Sequence, residues 1–106
     1  MIYSIEELRE RIVPITRKYH IRAAYLFGSY ARNEAGENSD VDILIDREGS
    51  LIRGMFDMGG LYGELCESIQ KEIDLVTVQM LSQKSTLERT PLFVKNLKRD
   101  MVVLYE

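Results

Sequence analysis

Apolar residues recur along this chain with two periods, and the changes of period mark its elements. Ile5, Leu8, Ile12 and Ile15 fall at helical spacing. Ser4 and Glu7 ahead of them form a capping box, with serine at the N-cap and glutamate three residues on. The pattern predicts a first helix ending near Tyr19-His20, with Pro14 inside it as a kink or a split. Ile21 to Phe27 then reads as a strand. A short helix, about Tyr30 to Ala35, and a polar loop, Gly36-Glu37-Asn38-Ser39, lead to a second strand, Val41 to Ile45. Asp46 to Ser50 reads as a turn or a mobile loop. A new helical stripe, Phe56, Gly60, Leu61, Leu65 and Ile69, predicts a helix from about Leu51 to Gln70. Gly59-Gly60 inside it costs about 1 kcal/mol per glycine relative to alanine, so the spacing predicts close packing against a sheet there. Glu72 to Val78 reads as a third strand and Gln79 to Lys84 as a short helix and turn. About Thr86 to Tyr105 reads as a final helix with Pro91 in its first turn. The order predicts one α/β (α+β) domain over residues 1–106: a small mixed β-sheet with helices packed mainly on one face.

A few carboxylates interrupt this alternation. Asp40 and Asp42, one residue apart at the mouth of the second strand, point the same way, with Cα atoms about 7 Å apart. Val41, Ile43 and Ile45 point to the other face. Like charges on one face repel, and a divalent cation that takes hard oxygen ligands, such as Mg²⁺, removes that penalty. The plainer reading of an isolated D-x-D is two solvated carboxylates. Gly28-Ser29 ends the first apolar strand. A glycine there lets backbone approach a ligand, while Ser29 is placed to cap the next helix, whose N-terminus favours phosphate. No Gly-Lys-Ser/Thr follows, so the stretch is not a Walker A loop. Arg32, one helical turn on, either leans towards a triphosphate or pairs with Glu34 or Glu37. Asp74 breaks the third strand, sharing a face with Val76 and Val78. It becomes a third carboxylate of the same cluster if the third strand neighbours the second, and an edge-strand charge that discourages aggregation otherwise.

Composition narrows the classes of function. A chain of 106 residues with 45% apolar content holds one modest core. Net charge is −3, with no basic block of the kind that grips long nucleic acid. The lone Cys66 allows no internal disulfide and fits a reducing cytoplasm; within a helix it reads as core filler. No apolar run approaches the roughly 20 residues needed to span a bilayer, and no signal peptide is evident. His20, the only histidine, reads as a capping or surface group at a helix end. Met55 and Met58 add soft apolar surface that reads as core or partner contact. Oligomeric state is open.

The wording Phe27-Gly28-Ser29-Tyr30-Ala31-Arg32, followed by Asn38-Ser39-Asp40-Val41-Asp42-Ile43-Leu44, resembles the signature of the DNA polymerase β-type nucleotidyltransferase superfamily. Within it, the chain resembles the minimal nucleotidyltransferase (MNT) proteins, small partners of HEPN-domain proteins in prokaryotic toxin–antitoxin pairs. The resemblance covers essentially the whole chain. It departs at Asn33, where many relatives have a glycine after the arginine, a change that bears on local turn geometry. The resemblance implies a polymerase β-like fold and Mg²⁺-dependent nucleotidyl transfer. Asp40 and Asp42 would hold two Mg²⁺ ions, and Asp74 would ligate one of them and help remove a proton from the attacking hydroxyl. Gly28, Ser29 and Arg32 would grip the triphosphate. It further implies ATP as donor and a tyrosine of the cognate HEPN toxin as acceptor, AMP there silencing an RNase. Two alternatives stand beside this reading. One is a non-catalytic antitoxin that masks its HEPN partner by stoichiometric binding. The other is transfer to a small molecule, for which so short a chain leaves little room.

Overall fold

The computed structural model of the chain describes residues 2–81 and 100–106. The elements among them are α1 (Ile5–Lys18), β1 (Ala23–Phe27), α2 (Gly28–Ala31), β2 (Val41–Asp46), α3 (Met55–Ile69), β3 (Ile73–Thr77), α4 (Val78–Leu81) and β4 (Val102–Tyr105). The strands form one mixed sheet in the order β3-β2-β1-β4. β1 runs antiparallel to both β2 and β4, and β2 runs parallel to β3. Parallel neighbours need a crossover, and α3 supplies it.

Local chemistry explains the first helix. Ser4 Oγ accepts a hydrogen bond from the Glu7 backbone N–H at 3.1 Å, and the Glu7 carboxylate accepts one from the Ser4 N–H at 3.0 Å. Pro14 does not split α1, which runs unbroken from Ile5 to Lys18. Pro14 and Glu10, whose carbonyl it cannot serve, are both exposed, so water can take the missing donor's place. His20 follows the C-cap Tyr19 in the left-handed region (φ 56°) and is exposed, as a helix-terminating residue should be.

The two faces of the sheet differ. Leu8 and Ile12 of α1 and Leu61, Leu65 and Ile69 of α3 pack with Leu26, Val41, Ile43 and Ile45 into the main core. On the opposite face Phe27 and Leu44 form a smaller cluster with Tyr25, Val76, Val78 and Met101. Alternation therefore turns Asp42, Asp46 and Asp74 away from α1 and α3. A mixed sheet with both long helices on one face agrees with the expected architecture.

Three expectations need correction. Val102–Tyr105 is an edge strand and not the end of a helix, while residues 86–99 of that expected helix lie outside the described residues. Leu26 pairs with Val102 and Tyr25 with Val103, and a register shift follows before Ala24 meets Tyr105. β-Branched and aromatic residues suit a pleated surface, and pairing with β1 decides the matter. Arg9 of α1 donates from Nε to the Leu104 carbonyl at 3.3 Å and from Nη2 to the Val103 carbonyl at 3.0 Å, tying α1 to this strand. The second correction concerns α3, which begins at Met55 and not at Leu51. Phe56 does not join its apolar stripe but is 94% exposed. Third, Gly59 and Gly60 do not pack on the sheet. A Cβ on Gly59 would meet nothing within 4 Å, and one on Gly60 would meet the Tyr19 hydroxyl oxygen at 3.1 Å.

Candidate active site

The site is built where β1 stops. The chain leaves Phe27 and turns at Gly28 with φ 71°, a left-handed conformation that glycine adopts without strain. A second constraint acts on the same residue. A Cβ placed on Gly28 would stand 2.0 Å from Asp42 Oδ2 and 2.9 Å from Asp42 Cγ. The Asp42 carboxylate thus lies directly against the backbone of the turn, and no side chain fits between them.

Strand register brings the acids together. Phe27 pairs with Asp42 across β1 and β2, and Asp42 pairs with Asp74 across β2 and β3. Adjacent strands lie about 4.8 Å apart, so the turn, Asp42 and Asp74 form a short row across the sheet. Asp40 lies two residues earlier, just outside β2, and is exposed, as is Asp74; Asp42 is half-buried. Burial, then the negative charges of Asp74 and Asp40, push the Asp42 carboxyl from its ordinary 3.8 up to about 6, against an opposing pull from Arg32. The adjacency of the second and third strands, on which a third carboxylate depended, is therefore present.

The remaining expected residues divide. Ser29 does not cap α2: the helix starts at Gly28, its N-cap is Phe27, and no side chain caps it. Ser29 is half-buried in the first turn, one residue from the carboxylate row, and its carbonyl accepts from the Glu34 N–H at 2.8 Å. Asn33 takes φ 61°. Asparagine tolerates that left-handed conformation better than other side chains, so the turn survives the departure from glycine. Arg32 pairs with Glu34 (Nε to Oε2, 3.1 Å), as one reading expected, and its Nη1 lies 3.9 Å from Asp100 Oδ2. Its positive charge also opposes the rise of the Asp42 pKa.

Asp100 was not singled out from the sequence. Its place beside Arg32 follows from β4 returning along β1, which the helical reading of that segment concealed. Among the described residues, no three His, Cys, Asp or Glu side chains stand close enough to form a ready-made metal cage. The donor chemistry nevertheless fits a hard divalent cation: Asp40, Asp42 and Asp74 offer only carboxylate oxygens, and their mutual repulsion at Asp42 is what such a cation relieves.

Comparison with known proteins agrees with this fold. The family model described as Polymerase beta, Nucleotidyltransferase matches residues 10–105. A Methanocaldococcus jannaschii protein named "Putative protein adenylyltransferase MJ0435" is 43% identical over 75 residues, which are 70% of this chain and 77% of that protein. A solved structure described as "Structure of putative minimal nucleotidyltransferase" superposes with a TM-score of 0.69 at 26% identity, over 94% of this chain and 95% of that one. A chain in a rebuilt structure of the tri-AMPylated Shewanella oneidensis HEPN toxin in complex with MNT antitoxin matches with a TM-score of 0.62, over 94% of this chain and 71% of that one. At 17% identity, that last likeness is one of fold.

Proposed function

The chain belongs to the polymerase β nucleotidyltransferase family, and from that premise we propose that it transfers AMP from ATP, with Mg²⁺, to a tyrosine of a cognate HEPN-domain toxin and so silences it. One observation carries the reading: the Asp42 carboxylate sits against the Gly28 turn with Asp74 paired beside it. The name of the Methanocaldococcus jannaschii relative supports an adenylyl group as cargo, and the AMPylated HEPN toxin in a neighbouring structure supports the acceptor class.

Asp40 and Asp42 would hold both metal ions, with Asp74 on one of them. When bound, Mg²⁺ supplies charge stabilisation at the phosphates and favours ionisation of the attacking hydroxyl. The rest of the work falls to the chain. The backbone at Gly28 and the Ser29 hydroxyl face the triphosphate. Arg32 exchanges Glu34 and Asp100 for the phosphates and offsets charge on the departing pyrophosphate. Asp74, exposed on the edge strand, takes the tyrosine proton. The tyrosine oxygen bonds to the α-phosphorus, the bond from that phosphorus to the bridging oxygen breaks, and pyrophosphate leaves. Among the described residues no helix is long and apolar enough to cross a membrane, and the free thiol of Cys66 suits the reducing cytoplasm in which we place the reaction.

The test is the intact mass of a HEPN-domain partner after incubation with this protein, ATP and Mg²⁺. One or more added AMP units, lost with Asp40→Asn/Asp42→Asn, support the reading. A stable, silenced complex with no mass gain overturns it in favour of masking.

A further inference from the structure

Large apolar side chains collect on the surface at one end of the molecule. Seven are exposed among the described residues, and four of them, Leu51, Met55, Phe56 and Met80, belong to the segment leading into α3, to its first turn or to α4. Met55 is 87% exposed and Phe56 94%, on the first turn of a helix that buries Leu61, Leu65 and Ile69. A single exposed apolar residue needs no explanation, but a cluster beside a groove marks an interaction site.

A groove is present there. It offers about 430 Å³, and its lining includes Ile52, Met58, Leu75 and Met80 together with Arg47 and Arg53. Both arginines are exposed, and neither has an ion pair among the described residues. In a chain of net charge −3, two guanidinium groups lining an apolar groove are a local reversal of sign. Methionine lining lets such a groove adapt to the side chain it receives.

The groove also has a defined relation to the carboxylates. Leu75 and Thr77 line it from β3, the edge strand that carries Asp74 on its other face. At about 3.3 Å per residue, Thr77 lies about 10 Å along the strand from Asp74. A chain seated in the groove needs only to pass around that edge to bring a hydroxyl to the acids.

We propose that this groove docks a segment of the acceptor protein that carries apolar anchors flanked by carboxylates. The apolar anchor fills the space over Leu75 and Met58, and the carboxylates pair with Arg47 and Arg53. That the docked protein is also the acceptor rests on the transfer proposed above, whereas the docking itself does not.

The experiment measures the affinity of this chain for a purified HEPN-domain partner by calorimetry at two salt concentrations. The variants are Arg47→Glu/Arg53→Glu, the conservative Arg47→Lys/Arg53→Lys, and Phe56→Ser. Charge reversal is expected to weaken the complex at least about tenfold and to flatten its salt dependence. The lysine pair retains most of the affinity, and Phe56→Ser weakens it without changing the salt response. Binding of Mg²⁺ with a non-hydrolysable ATP analogue stays at the wild-type value throughout. In transfer assays the charge reversal raises KM for the acceptor and leaves kcat at saturation unchanged. A complex that the variants weaken, with no AMP transferred by wild type, sinks the transfer reading and leaves the groove standing. Equal affinity in all variants, or no complex with wild type, overturns the groove. So does a wild-type homodimer in sedimentation that Phe56→Ser dissociates, because the occupant is then a second copy.

Discussion

A methyl group added at position 28 would stand 2.0 Å from Asp42 Oδ2, on a backbone held at φ 71°. Gly28→Ala therefore meets two obstacles, a left-handed conformation costing about 1–2 kcal/mol and a carboxylate that must move aside. The expected result is a modest fall in melting temperature and loss of nucleotidyl transfer far beyond what that fall explains; wild-type turnover in a folded alanine variant would sink the account. Asp42 itself titrates unusually. Its folded-state value of about 6 exceeds the ordinary 3.8, so the fold binds the proton more tightly than the unfolded chain does. Stability from this group is present below about pH 4 and is lost as pH rises towards 6. Asp42→Asn should consequently be more stable than wild type at pH 7, by about 1 kcal/mol once solvent screening at a half-buried group is allowed for. The advantage should shrink to nothing near pH 4, and denaturant midpoints at both pH values check it. At this scale much of the site was legible. A Gly-Ser pair at the end of an apolar strand, and two aspartates with alternate spacing, are local facts of sequence. Arg32 was not decidable, because its partner Asp100 is 68 positions away in the chain and comes close only through β4.

At the scale of elements, propensity was followed where packing did not intervene. The capping box of α1 formed as written, and Leu8 and Ile12 came to lie fully buried. Pro14 was read as a kink or a split, and tertiary packing of α1 against α3 and the sheet holds the helix across it. The proline still lacks its donor, so Pro14→Ala should stabilise the protein by about 1–3 kcal/mol, and a thermal melt that does not rise would contradict a continuous α1. The C-terminal error has a different cause. Leu97, Met101 and Leu104 fall at helical spacing, while Val102 to Tyr105 is a short β-branched and aromatic run, and so short a run does not settle its own period. Pairing with β1 and the Arg9 bonds to two of its carbonyls decide for strand, and both partners lie far away in the sequence. For the same reason the stripe on α3 was over-read at Phe56, since periodicity cannot tell a helix where the core ends.

The molecule as a whole keeps its two long helices on one face of the sheet and a row of carboxylates on the other, at the parallel junction of β2 and β3. Burial of Asp42 first, and then the negative charges of Asp74 and Asp40 that this arrangement sets beside it, raise its pKa. On the proposed reading Asp42 would hold Mg²⁺ through its ionised carboxylate, so binding of Mg²⁺ with nucleotide would release the proton that Asp42 holds below about pH 6. The affinity for Mg²⁺ with a non-hydrolysable ATP analogue should then fall about tenfold per pH unit below 6 and level off above it. At pH 7 and a hundredfold excess over Kd, binding adds about 2.7 kcal/mol of stability. For a domain of this size that is a rise of about 10–20 °C in melting temperature. Asp42→Asn should show neither the pH slope nor the rise, although its own unliganded melt lies above that of wild type. The combination separates this account from simple electrostatic relief: a variant that is more stable alone and fails to gain from Mg²⁺ and nucleotide has lost a ligand, whereas one that gains as much as wild type would show that Asp42 only repels its neighbours.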